Sequence, residues 1–187
     1  MEEWVERALK RWPNVPALFG WLRLDRRGRW LIKGETISRP QIIDTINRNY
    51  AADDQGRWYF QNGPQRGYMQ LEYAPLVLRA TNDALTTHTE LRVEQISKAF
   101  MDETGALLLL TEHGPGALID DELEWALQRM YVAERSITDE QIASALAMPT
   151  GAMTPITLRI GQQAISVQRL DAALAPAQLH FVRDPQP

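Results

Sequence analysis

Asp25-Arg26-Arg27-Gly28 followed by Arg29-Trp30-Leu31-Ile32, and Asp102-Glu103-Thr104-Gly105 followed by Ala106-Leu107-Leu108-Leu109-Leu110, are two passages of one form. Each is an Asp-x-x-Gly turn leading into a strand-like run. A turn and a helix-like stretch then follow, Gln41 to Tyr50 after the first and Ile119 to Tyr131 after the second. Each passage ends further on in an Ala-Pro element, Ala74-Pro75 and Ala175-Pro176. Gly28 and Gly105 are suited to such turns because glycine takes positive φ at no steric cost. The expected fold is therefore α+β: a β-rich single domain over residues 1–187, built from two related hairpin–helix–strand repeats. Repeat one covers about residues 17–80 and repeat two about residues 90–183.

Outward from these passages, residues 1–16 read as an N-terminal amphipathic helix. Trp4, Ala8 and Trp12 recur every fourth residue beside Val5 and Leu9, and Pro13 and Pro16 end the pattern. Ser38-Arg39-Pro40-Gln41 and Thr138-Asp139-Glu140-Gln141 read as capping boxes that open helices, and Asp120 reads as a further cap. Three strands are expected at the end, Ile156 to Ile160, Ala164 to Leu170 and Ala177 to Arg183, with residues 184–187 frayed.

The clearest hairpin joins Arg57 to Gln61 with Arg66 to Tyr73 across Asn62-Gly63-Pro64-Gln65. Its register pairs Tyr59 with Tyr68 and Gln61 with Arg66. Alternation then puts Trp58, Phe60, Met69, Leu71 and Tyr73 on a core face. Tyr59, Gln61, Tyr68, Gln70, Glu72 and Arg57 fall on an opposite, polar and aromatic face.

Composition excludes several classes. There is no cysteine, so disulfides, thiol catalysis and cysteine-bound zinc are out. No apolar run reaches the roughly 20 residues of a membrane span, and the acidic start Met1-Glu2-Glu3 is unlike a signal peptide. The expected location is cytoplasmic. The net charge of −4 is uneven: residues 1–80 hold 13 Lys/Arg against 9 Asp/Glu, and residues 81–187 hold 7 against 15. This reads either as a basic face for an anionic partner or as two solvated halves that attract each other.

Gly28-Arg29-Trp30, Gly34-Glu35-Thr36-Ile37-Ser38-Arg39, Gly56-Arg57-Trp58-Tyr59 and Ala74-Pro75 carry a family likeness. Over roughly residues 25–131 the chain resembles an uncharacterised bacterial (proteobacterial) family classed as a domain of unknown function. Thr36 departs from that pattern, which has proline there. The resemblance implies a mixed, β-rich fold with an internal repeat, and it brings no assigned activity.

The candidate binding residues are Asn47, Arg48, Tyr59, Gln61, Asn62, Arg66, Tyr68, Gln70 and Glu72. They combine amides, guanidinium groups and phenols of the kind that recognise a peptide, a carboxylate or a base. The leading reading is a non-enzymatic binding or protein-interaction module. The alternative is an enzyme of unknown reaction with a polar pocket around Arg48, Arg66 and Tyr68. His88, His113 and His180 have no metal-ligand spacing, and Asp53-Asp54 and Asp120-Asp121-Glu122 suit solvent or a helix start better than acid–base work. No catalytic residue, cofactor or metal is assigned. Arg23, Arg26, Arg27, Arg29, Lys33 and Arg39 near Trp21 and Trp30 outline a stacking platform, but a pI of about 5.4 disfavours nucleic acid. A protein partner, a small ligand and a homo-oligomer stay open.

Overall fold

The computed structural model describes Glu3, Arg7, Lys10, Arg11 and residues 16–187. The side chains that define the expected N-terminal helix, Trp4, Val5, Ala8, Leu9 and Trp12, lie outside the described residues. The fold is strand-rich α+β with two sheets. By contacts the chain divides into two compact units, residues 1–75 with 180–187 and residues 76–179.

Unit one contains β1 (Leu18–Leu24), β2 (Trp30–Ile32), β3 (Glu35–Thr36), α1 (Pro40–Arg48), β4 (Tyr50–Ala52), β5 (Trp58–Asn62) and β6 (Gln65–Leu71). Its sheet runs β3-β2-β1-β6-β5-β4. The Asp25 turn reverses the chain between β1 and β2. The Asp25 Oδ1 accepts from the amides of Arg27 at 2.9 Å and Arg29 at 2.8 Å, and Gly28 takes φ +77°. β1 and β6 run parallel. A parallel pair needs a long crossover, here supplied by α1 and the strands after it.

One face of this sheet is the expected core. Leu24 lies opposite both Trp30 and Leu71, Leu22 lies opposite Met69, and all five are buried with Trp58. Helix α1 covers that face with Ile46, and its Asn47 Oδ1 accepts from Trp30 Nε1 at 2.8 Å.

Residues 180–184 strap the sheet. Val182 N donates to Gly56 O, Leu71 N to Arg183 O at 2.7 Å, and Gln70 Nε2 to Asp184 Oδ1 at 2.8 Å. Of residues 184–187, expected to be frayed, Asp184 is tied by its bond to Gln70 and Pro185 is buried, while Gln186 and Pro187 are exposed.

Unit two contains β7 (Leu76–Thr81), β8 (Ala84–Thr87), β9 (Arg92–Val93), β10 (Ile96–Met101), β11 (Leu107–Thr111) and β12 (Gly114–Leu118). A 3-10 turn (Asp120–Glu122), α2 (Leu123–Leu127), β13 (Met130–Val132), β14 (Arg135–Ser136), α3 (Asp139–Leu146), β15 (Met153–Ile160), β16 (Gln163–Arg169) and α4 (Ala175–Leu179) follow. The ten strands order as β14-β13-β15-β16-β10-β11-β12-β7-β8-β9. Leu78, Leu85, Met101, Leu107, Leu109, Ile156, Leu158 and Val167 lie in its core cluster, none of whose buried members is aromatic. One cation is buried at its edge. Arg169 is 4% exposed, and it donates to Leu146 O, Met101 O and Asp171 Oδ1. A buried charge is tolerated when it is paired and hydrogen-bonded in this way.

Three local expectations fail for physical reasons. Ser38 does not cap α1. The residue before a proline is held extended, so Arg39 takes the N-cap position with no side-chain bond and Pro40 opens the helix. Thr138, with no proline after it, forms the full capping box with Gln141. Asp120 starts a 3-10 turn without a side-chain cap. The strand expected over Ala177 to Arg183 does not form: residues 177–179 belong to helix α4, where Pro176 sits in the first turn and Ala, Gln and Leu favour helix, and residues 180–183 are neither helix nor strand.

Candidate functional site

The β5–β6 hairpin places most of the candidate residues. Its register is the expected one: Tyr59 opposite Tyr68, Gln61 opposite Arg66, and Asn62 opposite Gln65 around Gly63-Pro64. Tyr59, Gln61, Arg66, Tyr68 and Gln70 therefore share one face, opposite the α1 side. Asn47 and Arg48 sit on α1, and Asn47 serves the other face through Trp30. Asn62 alternates with Phe60 onto that same other face. The nine candidates are thus split by the sheet and do not converge on one point.

The polar face is also more closed than alternation suggests. Tyr59 and Tyr68 are each 5% exposed and Gln61 is fully buried. The Phe19 ring stacks on Tyr68 with centroids 4.6 Å apart and planes 8° apart. Tyr59 meets Tyr68 edge-on at 5.8 Å, and the Arg66 guanidinium lies 4.4 Å over the Tyr59 ring. Gln61 Nε2 donates to Gly63 O and its Oε1 accepts from Arg66 Nε at 3.1 Å. Both ends of the Gln61 amide are satisfied locally, which lets it be buried.

A third Asp-x-x-Gly turn anchors this cluster. Asp53 Oδ1 accepts from the amides of Gln55 and Arg57, and Gly56 takes φ +73°. Asp53 Oδ2 accepts from Arg57 Nε at 2.8 Å and from the Tyr68 hydroxyl at 3.1 Å, while Arg57 Nη2 donates to that hydroxyl at 3.2 Å. Burial pushes the Asp53 carboxyl up, but the bonds from Arg57, Tyr68 and Gln55 outweigh it and hold the group below its ordinary range. The bond to Asp53 raises Arg57 in turn. Burial raises the Tyr59 hydroxyl against the opposing charge of Arg66. Asp53 and Phe19 were missed from sequence. A signal for Asp53 existed: Asp53-x-x-Gly56-Arg57 repeats the form of Asp25-x-x-Gly28-Arg29.

The open part of the same sheet face runs along β1, β2 and β6. Trp21 is 44% exposed, with the Lys33 ammonium 3.7 Å over its ring. Arg23 pairs with Glu72 at 3.4 Å and stands beside Gln70 in register. Trp30, grouped with Trp21 by sequence, is buried on the opposite face. Among the described residues no group of three or more His, Asp or Glu is placed to hold a metal ion. No described helix is long and apolar enough to cross a membrane.

The chain belongs to the DUF2944 family, described as "Protein of unknown function (DUF2946)", whose model matches residues 1–186. No curated protein matches it. Among solved structures it is similar to a DUF1285 family protein from Silicibacter pomeroyi DSS-3, at 16% identity and a TM-score of 0.54 over 83% of this chain and 84% of that one. It is also similar to a DUF1285 family protein from Shewanella baltica OS155, at 15% identity and a TM-score of 0.41 over 54% of this chain and 85% of that one. The first likeness concerns the fold, and neither brings an assigned activity.

Proposed function

We propose that the protein is a non-enzymatic binding module whose contact surface is the open strip of the unit-one sheet, Trp21, Arg23, Lys33, Arg66, Gln70 and Glu72. Its partner is an acidic segment of another protein. The observation that carries this reading is Trp21, a large ring left 44% exposed on a sheet face beneath a lysine. Exposed aromatics beside arginine are the residues that dominate protein interfaces. Charge supports the sign of the partner: unit one carries 13 Lys/Arg against 10 Asp/Glu, in a chain of net charge −4. Of the sequence candidates, Tyr59, Gln61 and Tyr68 then act as the rigid underlayer, and Arg66, Gln70 and Glu72 as contacts. The enzyme reading around Arg48, Arg66 and Tyr68 gains less support, because the Tyr68 hydroxyl is already engaged by Asp53 and Arg57.

The reading extends to a cytoplasmic protein with an internal repeat. Support for the repeat is a shared closure. In each unit a strand turns through Asp-x-x-Gly and later gains a parallel neighbour. The residue after that neighbour then bonds back at 3.0 Å, Glu72 N to Leu24 O and Leu170 N to Met101 O. The test of function is fluorescence anisotropy with a labelled Glu-rich peptide and a neutral control of equal length. Trp21→Ala and Lys33→Glu should each weaken binding of the acidic peptide about tenfold or more while leaving thermal unfolding nearly unchanged. Equal affinity of wild type and both variants, or equal affinity for the neutral control, overturns the reading.

A further inference from the structure

Unit two holds a groove of about 650 Å3 lined by β8, β9, the segment 94–96 and the β15–β16 turn. That size falls within the roughly 300–1,000 Å3 of ordinary small-ligand sites. Leu85, Val93, Ile96 and Ile160, all buried, give it an apolar floor. Its lining carries one cation, Arg92, and two anions, Glu94 and Asp83; Asp83 is paired with Arg129, while Arg92 and Glu94 pair with each other at 2.9 Å with 70% and 68% of their side chains exposed. The amides of Gln95 and Gln162 flank them.

The wall is fixed by side chains rather than by a ladder. Glu112 accepts from Glu94 N at 2.6 Å and from Gln95 N at 3.2 Å, and its own amide donates to Gln95 O. Gln163 accepts from Ile96 N at 2.9 Å and donates to Glu94 O at 3.0 Å. Every amide from 94 to 96 is thereby held where the β10–β11 pairing slips between Ile96 and Lys98. Irregularities of this kind recur next to sites because they aim side chains that a regular strand could not. Burial pushes the Glu112 carboxyl up, and the amides it accepts from, with His113, outweigh that and keep it charged.

We infer that this groove binds a short zwitterionic peptide with apolar side chains. An apolar side chain fills the floor, the terminal carboxylate meets Arg92, the terminal ammonium meets Glu94, and Gln95 and Gln162 take the peptide amide. The exposed Arg92–Glu94 pair opens at little cost, because surface ion pairs contribute little. This site is separate from the Trp21 strip, and neither inference rests on the other.

The test is NMR shift mapping and calorimetry of the full chain with leucyl-leucine as probe. The blocked, uncharged N-acetyl-leucinamide is the comparison. Saturable binding is expected, with a dissociation constant on the order of 0.1–1 mM and shifts centred on residues 83–96 and 160–163. Arg92→Gln should weaken it about tenfold, and the change is tolerated because the side chain is exposed. Glu112→Gln should also weaken it, with the contacting side chains intact, and Trp21→Ala should leave it unchanged. No saturation up to about 10 mM, shifts mapping elsewhere, equal binding of the blocked analogue, or unchanged affinity in Arg92→Gln each overturns the inference.

Discussion

The Asp53–Gly56 turn of unit one and the Asp102–Gly105 turn of unit two share a hydrogen-bond pattern and differ in their surroundings. In both, the aspartate amide donates to the residue four ahead, the glycine amide donates back, and the carboxylate collects the amides at +2 and +4. Around Gly105 a Cβ would meet nothing within 4 Å, whereas at Gly56 it would meet His180 O at 2.5 Å. Asp102 takes its side-chain bond from Thr104, whereas Asp53 holds an arginine and a tyrosine. One local sequence rule makes both turns, and only tertiary neighbours make one of them a junction.

Removing Tyr68 is the strongest way to break the contrast, since its ring is buried and its hydroxyl completes the Asp53 cluster. Tyr68→Ala and Trp58→Ala, on opposite faces of one hairpin, should each cost about 3–5 kcal/mol in urea denaturation. An exposed-face value for Tyr68 would show that the face is open. Next is Gly56→Ala, with a steric conflict added to positive-φ strain, at about 3–4 kcal/mol. Gly105→Ala should show only the strain, about 1–2 kcal/mol, and equal losses would erase the distinction.

Asp53→Asn comes third at about 1.5–3 kcal/mol, the range for bonds to a charged group. Its sign with pH is fixed. The folded carboxyl titrates below its unfolded value, so its contribution is present above the unfolded pKa and is lost as pH falls through the folded one. Wild type and Asp53→Asn should therefore converge in stability on acidification. The smallest effect sharpens a second contrast between the units. Thr138→Ala should cost about 1 kcal/mol, and Ser38→Ala less than about 0.5 kcal/mol, because Pro40 has moved the cap to Arg39.

Much of the hairpin was legible in the sequence. The loop at residues 62–65 paired Tyr59 with Tyr68, and alternation supported that register, since a slip by one residue would mix Trp58 and Met69 with Gln61 and Gln70. The burial of Tyr59, Gln61 and Tyr68 was not legible. It depends on Phe19 from β1 covering the Tyr68 ring and on Asp53 from the turn after β4, which with Arg57 engages the Tyr68 hydroxyl. The groove of unit two was unreadable for a similar reason, being assembled from three separated segments. The α4 helix was misread because Ala175-Pro176 looked like Ala74-Pro75, and two residues do not decide between strand and helix when the flanking partners differ.

The strap at residues 180–184 has a consequence for synthesis. Gly56 O receives Val182 N, and Leu71 N reaches Arg183 O, so the first unit is completed by residues made more than a hundred positions later. During translation, strands β1 to β6 must wait with Gly56 uncovered while all of residues 76–179 emerges. The second unit, contiguous in the chain, has no such wait. Vectorial folding, which ordinarily favours the N-terminal part, is inverted for these two units: residues 76–179 can mature before residues 180–184 arrive to complete the unit that β1 to β6 began.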